Sequence, residues 1–225
     1  TATFAPMPVL PFEFGDALVR GSIQTAAFLL PEADPPKDLA PIQSRFPKRD
    51  VAALPRFRQI EHWAVHEALS SLDLPCLAFA IGHTADGAPH FTTQPSLDLS
   101  ISHSRHPYLG TVAMVAVADK SQSKGRLGID VEFPRSTLNR VAHRIFSQRE
   151  LALAQTENAA CMVWCLKEAA WKGWGPDLDY RMDIGVVSEP GPAGRMDTKV
   201  LGQAMHYAAG HATGDAPWLC IVGPC

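Results

Sequence analysis

The stretch Gly128-Ile129-Asp130-Val131-Glu132 decides how the rest of the chain is interpreted. Side chains alternate along a β-strand, so Asp130 and Glu132 share one face while Ile129 and Val131 share the other. The apolar pair can then face a core while the acidic pair faces a site. The pattern therefore predicts a strand that presents two neighbouring carboxylates.

A second stretch, residues 164–172, reads Trp-Cys-Leu-Lys-Glu-Ala-Ala-Trp-Lys and is typical of a helix. Residues four apart share a helix face, which places Glu168 beside Lys172. Taken alone, such a Glu–Lys pair is usually an exposed surface pair, and an Asp–Glu pair at a strand end is usually a polar sheet face. Both stretches have apolar flanks, however, and we therefore expect them to form one site.

Three carboxylates that converge on one place, from Asp130, Glu132 and Glu168, repel one another unless a cation lies among them. Hard oxygen ligands suit Mg²⁺ or Mn²⁺, and Mg²⁺ commonly takes further ligands from a substrate phosphate. Lys172 would then be a positive charge that faces the phosphate. The sequence therefore predicts a divalent-metal and phosphate site.

The composition is that of a globular protein with a substantial core, since 46% of the 225 residues are hydrophobic and 19% are charged. A net charge of −3 gives no indication of a nucleic-acid partner, and no apolar run reaches the ~18 residues of a membrane span. The five cysteines form no C-x-x-C motif, which favours reduced thiols and a cytoplasmic location.

The spacing of apolar residues predicts strands and helices that alternate along the chain. Strands are predicted at 22–30, 77–81, 97–102, 111–118, 126–132, 184–187, 199–201 and 218–222. Helices are predicted at 56–72, at 138–146, from 148 onward after a capping box that begins at Ser147, and at 161–173. Residues 1–20 are predicted to be an extended lead-in, 31–41 a loop, and 103–107 a polar loop after a strand.

Two further groups of residues are candidates for binding an anion. His103 and the serines around it follow a predicted strand, where hydroxyls and a histidine can hold a phosphate, although His103 could instead simply cap the hairpin. The one dense basic cluster lies before and at the start of the first long helix. Such a cluster is usually exposed to solvent, but here it is also a candidate phosphate-binding group. Its members are Arg45, Lys48, Arg49, Arg56 and Arg58.

Taken together, these motifs resemble those of the two-lobed, monomeric class of 4′-phosphopantetheinyl transferases, which activates carrier proteins of siderophore, nonribosomal-peptide and polyketide synthesis. The resemblance lies in the acidic strand and in the helix that follows it, with 38 residues between Asp130 and Glu168. It extends to Ser100-Ile101-Ser102-His103-Ser104 before them and to Arg144-Ile145-Phe146-Ser147 between them. The match covers roughly residues 97–173. One departure is Gly87-Ala88-Pro89, where the family often has Gly-Lys/Arg-Pro, so that a basic contact near the nucleotide is missing.

The resemblance implies an α/β (α+β) fold of two similar lobes, related by a pseudo-twofold axis, with coenzyme A between them. The lobes would be residues 1–118 and residues 119–225, the second carrying the metal site. The implied reaction is Mg²⁺-dependent transfer of 4′-phosphopantetheine from coenzyme A to a serine of an apo acyl or peptidyl carrier protein, with release of 3′,5′-ADP. Mn²⁺ is an alternative metal. No nucleic acid or membrane would take part.

Roles are carried over residue by residue. Asp130, Glu132 and Glu168 would hold the metal, and Glu168 would also accept the proton of the carrier serine. His103, with Ser102 beside it, and Lys172 would contact the pyrophosphate. The 3′-phosphate would meet one or more of the basic residues Arg45, Lys48 and Arg56.

The carrier protein would dock near residues 138–146. Carrier helices are usually acidic, so Arg135, Arg140 and Arg144 are the expected contacts.

Two other functions stay open from the sequence. A metal-dependent phosphodiesterase would share three acids and a lysine but would hydrolyse coenzyme A or a nucleotide without a carrier. A non-catalytic protein that binds coenzyme A or a carrier would have a decayed site. Every acidic and basic position of the two main motifs is filled, which favours a working enzyme over a decayed one.

Overall fold

The computed structural model describes residues 23–31, 34–72, 74, 79–123, 127–186, 198–200, 203–211 and 217–223. The strands are β1 (Ile23–Leu30), β2 (Ile81–His83), β3 (Pro89–Phe91), β4 (Leu97–His106), β5 (Gly110–Asp119), β6 (Gly128–Glu132), β7 (Ile184–Val186), β8 (Thr198–Val200), β9 (Gln203–His211) and β10 (Trp218–Gly223). The helices are α1 (Ala40–Arg45), α2 (Arg56–Ser70), α3 (Lys120–Ser123), α4 (Thr137–Ile145), α5 (Gln148–Leu153) and α6 (Glu157–Trp174).

The strands form two antiparallel sheets that pack face to face, and a long helix covers the outer face of each sheet. The first sheet has the order β1-β5-β4, the second has the order β6-β10-β9-β8-β7, and β2 and β3 form a separate hairpin. One core lies between α2 and the first sheet, one between the two sheets, and one between α6 and the second sheet. The architecture is therefore a mixed α/β one with four layers: α2, sheet, sheet, α6.

Strand β5 shows how the sequence produces these layers. Its residues from Gly110 to Ala118 are all buried. Ala113, Val115 and Val117 belong to the core under α2, while the alternate residues Met114 and Ala116 belong to the core between the sheets. A strand that is buried on both faces has a continuous apolar sequence, and this explains the run of small and branched apolar residues at this point of the chain.

The acidic strand β6 obeys the predicted alternation. Ile129 and Val131 pack in the core between the sheets, so Asp130 and Glu132 point away from it. Gly128 shares their face, and a Cβ placed on it would lie 1.9 Å from the carbonyl oxygen of Ala169 in α6. The glycine therefore lets the helix backbone lie directly on the strand, which brings the acids of β6 close to the acid and the lysine of α6.

Helix α6 begins four residues earlier than predicted. The side chain of Thr156 accepts a hydrogen bond of 3.1 Å from the amide of Ala159, so it caps the helix start. The helix ends at Gly175, whose φ of +101° suits glycine. The predicted capping box of α5 is confirmed, with Ser147 and Glu150 as its two members.

Other sequence predictions differ from the structure. The predicted polar loop at 103–107 is wrong for most of its length, because β4 continues to His106 and pairs with β5 along its full length. Helix α1 starts within the predicted loop 31–41, where Pro41 occupies its first turn, and β9 was not predicted. The predicted lead-in at 1–20 lies outside the described residues, as do the first two residues of the strand predicted at 77–81.

A buried ion pair joins α5, α6 and β7. The ammonium of Lys167 donates to both carboxylate oxygens of Glu150, at 2.8 and 3.0 Å, and to the carbonyl of Ile184 at 2.5 Å. Glu150 also accepts from the amides of Ser147 (2.7 Å) and Val186 (2.9 Å). Both charged side chains have no exposed surface. Because Lys167 points into this core, the next residue, Glu168, is turned about 100° away from it around the helix axis.

Among the described residues, no helix is both long and apolar enough to cross a membrane. Three of the five cysteines lie in this part of the chain, and Cys161, Cys165 and Cys220 are buried free thiols.

Candidate active site

A cavity of about 780 Å³ lies between α2, the β2–β3 turn and β4 on one side and β6 and α6 on the other. The polar side chains that line it from the first part of the chain include Arg49, Arg58, Glu61, His62, His83, Ser102 and His103. Those from the second part are Asp130, Glu132, Glu168 and Lys172. Four of the five charged residues of the two sequence motifs therefore open into one cavity, and the fifth, Lys167, is the one buried against Glu150.

Asp130 and Lys172 form an ion pair at the centre of this cavity. The ammonium of Lys172 lies 2.6 Å from Oδ1 of Asp130 and 2.9 Å from the hydroxyl of Ser102, which itself donates to the same Oδ1 at 2.6 Å. Burial alone would lower the pKa of Lys172, but the charge of Asp130 and its hydrogen bond raise that pKa above its ordinary value. Lys172 is therefore positively charged at neutral pH.

Glu132 lies beside Asp130 on the same strand face. Its Oε2 accepts from the hydroxyl of Ser104 at 2.6 Å, and its Oε1 pairs with the guanidinium of Arg135 at 2.5 Å. Burial raises the pKa of the Glu132 carboxyl, and the hydrogen bond from Ser104 and the charge of Arg135 oppose that rise. The carboxylate thus has a defined orientation and two stabilising partners.

Glu168 receives a hydrogen bond from a residue that the sequence motifs did not indicate. The hydroxyl of Tyr180 donates to its carboxylate, and the Tyr180 ring lies against Trp164 and Trp171, with centroids 6.1 and 6.0 Å away. Burial raises the pKa of Glu168, while the hydrogen bond from Tyr180 lowers it. Tyr180 comes from the turn after α6, so no spacing rule in the sequence relates it to Glu168.

In the part of the chain that the structure describes, no three His, Cys, Asp or Glu side chains are grouped as a metal site would need. Each acid of the motifs has an internal partner instead: Lys172 for Asp130, Arg135 and Ser104 for Glu132, and Tyr180 for Glu168. One oxygen is an exception, because Oδ2 of Asp130 is buried and has no hydrogen-bond partner among the described residues.

His103 lies at the boundary between the acidic and basic parts of the cavity. Its Nδ1 is 3.7 Å from Oε1 of Glu61, and the other oxygen of Glu61 pairs with Arg58 at 2.8 Å. Burial lowers the pKa of His103, and the charge of Lys172 lowers it further, although Glu61 acts in the opposite direction. The imidazole is therefore neutral at neutral pH and positioned on β4 by its pairing with Ala113.

The three basic residues predicted to meet the 3′-phosphate lie away from this cavity. Arg45 is buried and donates to the carbonyl of Phe79 at 3.4 Å, while Lys48 is exposed outside the lining. Arg56 pairs with Asp34 at 2.5 Å and borders a separate cavity of about 470 Å³. Among the described residues, the arginines that line the main cavity are Arg49 and Arg58, and they add to the positive charge of Lys172.

Helix periodicity explains which basic residues of α2 reach the cavity. Arg58, Glu61, His62 and Val65 follow the spacing i, i+3, i+4, i+7, so they share one helix face, and all four line the cavity. Arg56 lies on a different face. The sequence contains this spacing, but the face of α2 that lines the cavity depends on how the helix is oriented on the sheet.

The Gly87-Ala88-Pro89 turn, where the resemblance indicates a missing basic residue, also lines the cavity. Beside it, burial lowers the pKa of His83, and the nearby charge of Arg49 lowers it further. Arg49 thus supplies positive charge at this end of the cavity, where the turn itself supplies none.

Residues 126–210 match the family model of the 4′-phosphopantetheinyl transferase superfamily. This segment, which carries the acidic strand β6 and the helix α6, is therefore similar to that superfamily, and the predicted resemblance is confirmed at this level. The family indicates a transferase of phosphopantetheinyl groups, with coenzyme A and a carrier protein as partners. A comparison with curated proteins found no matching relative.

Proposed function

We propose that the protein transfers the 4′-phosphopantetheine moiety of coenzyme A to a serine of an apo acyl or peptidyl carrier protein and releases 3′,5′-ADP. One observation carries the proposal: the acids Asp130, Glu132 and Glu168 and the lysine of the matched segment share a single cavity with two arginines from the first part of the chain. The cavity volume of about 780 Å³ lies within the range of small-molecule sites, which is about 300–1,000 Å³.

The charges along the cavity suggest how coenzyme A is oriented. Arg49 and Arg58 would meet the 3′-phosphate, in place of the three basic residues named from the sequence. Lys172 and His103, which also line the cavity, would contact the pyrophosphate. The pantetheine arm would extend along Trp164 and Trp171, whose side chains also line the cavity.

The three acids are not grouped as a metal site in the structure, but the chemistry of their oxygen donors suits a divalent metal such as Mg²⁺, with Mn²⁺ as an alternative. The unpartnered Oδ2 of Asp130 is a hard oxygen ligand without a proton donor. Burial is the main cause that raises the pKa of Glu132 and of Glu168, and the charge of Asp130 adds to the rise in both. A cation that relieves this repulsion would be held by Asp130, Glu132 and Glu168. When bound, it would neutralise charge on the diphosphate.

The reaction needs one proton transfer and the stabilisation of phosphate charge. The carrier serine attacks the β-phosphate of coenzyme A, the bond to the adenosine 3′,5′-bisphosphate oxygen breaks, and Glu168 accepts the serine proton. A buried carboxylate with a raised pKa is a better proton acceptor than an exposed one. Lys172 stabilises negative charge on the phosphate oxygens, and the positioning of both groups contributes to catalysis.

The surface beside the acidic end would receive the carrier. Arg135, Arg140 and Arg144 are exposed there, and α4 also exposes 37% of Val141. An acidic carrier helix complements this surface, and rim charges of this type act mainly on the association rate. Association that is independent of salt concentration would count against this part of the proposal.

We also propose that residues 1–118 and 119–225 form two lobes related by a pseudo-twofold axis, in a monomeric cytoplasmic protein. The support for the lobes is that each part of the chain packs one long helix, α2 or α6, on an antiparallel sheet. The support for the location is the reduced state predicted for the cysteines.

Intact-mass spectrometry tests the reaction directly. A purified apo carrier protein is incubated with this protein, coenzyme A and Mg²⁺, with a parallel reaction that contains EDTA. A mass gain of one phosphopantetheine that EDTA prevents is the expected result. Cleavage of coenzyme A without a gain on any of several unrelated carriers would instead identify a phosphodiesterase, and intact coenzyme A would indicate a narrow carrier range or a binding protein.

The variant Glu168→Gln tests the proposed base. It should abolish transfer while leaving the circular dichroism spectrum and the unfolding midpoint close to those of the wild type. Glu157→Gln is the matched control, since Glu157 is an exposed acid on the same helix, and it should keep full activity. Transfer at the wild-type rate in Glu168→Gln would remove Glu168 from the mechanism.

A further inference from the structure

Three serine hydroxyls on one face of β4 accept hydrogen bonds from the backbone amides along the edge of β6. Ser100, Ser102 and Ser104 are two residues apart, so their side chains point to the same side of the strand. They accept hydrogen bonds from the amides of Ile129 (3.1 Å), Val131 (3.3 Å) and Phe133 (3.5 Å), respectively. Strand β6 is at the end of its sheet in the described strand order, so these serines take the place of a neighbouring strand. We call the three residues the serine ladder.

Two members of the serine ladder also hold the acids of β6. Ser102 donates to Oδ1 of Asp130 and Ser104 donates to Oε2 of Glu132, each at 2.6 Å. The register makes this possible, because each serine binds the carboxylate of one residue and the amide of the next. The serine ladder therefore fixes both the position of the strand and the orientation of its carboxylates.

The hydrogen bonds of Ser102 use its full capacity. A serine hydroxyl has one proton to donate and two lone pairs to accept with. Ser102 donates to Asp130 and accepts from Lys172 at 2.9 Å and from the amide of Val131. A direct contact between Ser102 and a substrate phosphate, as the family resemblance implies, would require one of these bonds to break.

We propose that Ser102 and Ser104 are positioning residues that act through Asp130 and Glu132, and this inference rests on the proposed function. The serines lie outside the segment that matches the superfamily, while the acids lie within it. Residues of the first sheet thus set the orientation of the acids that the second sheet supplies. The serine ladder makes the geometry of the acidic end depend on the register between β4 and β6.

Ser104 is the better residue to test, because it is half-buried, whereas Ser102 is buried and also accepts a hydrogen bond from Lys172. Ser104→Ala removes the hydroxyl, and Ser104→Thr keeps it on a side chain that strands accept readily. Ser100→Ala is the matched control, since Ser100 binds the β6 backbone in the same way but holds neither Asp130 nor Glu132. The three variants separate loss of a strand contact from loss of a carboxylate contact.

Three quantities are measured for each variant: the thermal midpoint, the affinity for Mn²⁺ from electron paramagnetic resonance of free Mn²⁺, and the kinetics of carrier modification. Hydrogen bonds to charged groups are the strong ones, so Ser104→Ala should lower kcat and Mn²⁺ affinity about tenfold or more. Its KM for coenzyme A should stay within about twofold, because the hydroxyl does not contact that substrate in the proposal. Ser104→Thr should restore both losses, and Ser100→Ala should lower the thermal midpoint with little change in kcat or Mn²⁺ affinity.

Equal effects of Ser104→Ala and Ser100→Ala on kcat and Mn²⁺ affinity would overturn the inference and leave the serine ladder a structural contact only. Failure of Ser104→Thr to restore Mn²⁺ affinity would also overturn it. If the wild-type protein modifies no carrier, the proposed function fails, but the Mn²⁺ affinities still decide whether the serines position the acids. A wild type that neither modifies a carrier nor binds Mn²⁺ would overturn both.

Discussion

Replacing the buried lysine of α6 should be among the most destabilising single changes in the protein. Lys167→Met keeps the length and apolar stem of the side chain but removes the ammonium that pairs with Glu150. Both side chains are fully buried, so the change leaves an anion in the core without a cation. Breaking a buried ion pair in this way typically costs about 3–5 kcal/mol.

The surroundings of Glu150 place the expected loss toward the lower end of that range. Two amides, of Ser147 and Val186, still donate to the carboxylate when Lys167 is gone. We therefore expect the free energy of unfolding to fall by about 3 kcal/mol. Lys48→Met is the control: Lys48 is exposed, and a surface change of this type should stay within about 0.5 kcal/mol.

A double variant shows whether the buried charge causes the loss. In Lys167→Met with Glu150→Gln, an amide replaces the carboxylate and neither charge remains, so the double variant should be more stable than the sum of the two single losses predicts. The assay is urea unfolding followed by tryptophan fluorescence, with the slopes compared to confirm a two-state transition. A loss under about 1 kcal/mol in Lys167→Met, or strict additivity in the double variant, would refute the reasoning.

Two further predictions concern packing and pH. Gly128→Ala places a Cβ 1.9 Å from the backbone oxygen of Ala169, so it should lower the free energy of unfolding by about 3 kcal/mol or more. Gly185→Ala is the control and should be tolerated, because no atom lies within 4 Å of its Cβ. Equal stability of the two variants in urea unfolding would contradict this prediction. Burial lowers the pKa of His66, so the unfolded chain takes up a proton in a pH range where the folded chain does not. The contribution of His66 to stability is therefore complete above its ordinary pKa of 6.5 and is lost as pH falls. The stability of the wild type relative to His66→Gln should decline between about pH 7.5 and about pH 5. A difference in stability that does not change over this range would contradict the prediction.

Alternation and helix periodicity predicted the elements that carry the acidic end of the site. The alternation of Ile129, Asp130, Val131 and Glu132 assigned each side chain to its correct face, because one face had to be buried against a second sheet. The capping box at Ser147 marked the start of α5 correctly. These signals depend on a few neighbouring residues, so they are visible without the rest of the fold.

The basic end of the site could not be predicted to the same extent. Choosing Arg58 over Arg56 requires knowledge of which face of α2 lies against the sheet, and the sequence does not contain that direction. The hydrogen bonds of Tyr180 and Ser104 likewise depend on contacts between elements far apart in the chain. The polar sequence after Ser102 suggested a loop, because exposed strand residues near a hairpin turn are as polar as loop residues.

The contact between Gly128 and α6 has a consequence for how the protein can change over evolutionary time. The strand and the helix touch through main-chain atoms, so neither can gain volume at this point without displacing the other. The exposed turns of the segment between them, which contains α4 and α5, take no part in this contact. Insertions and deletions should therefore accumulate in the exposed turns of that segment, while the two motifs at its ends persist or disappear together.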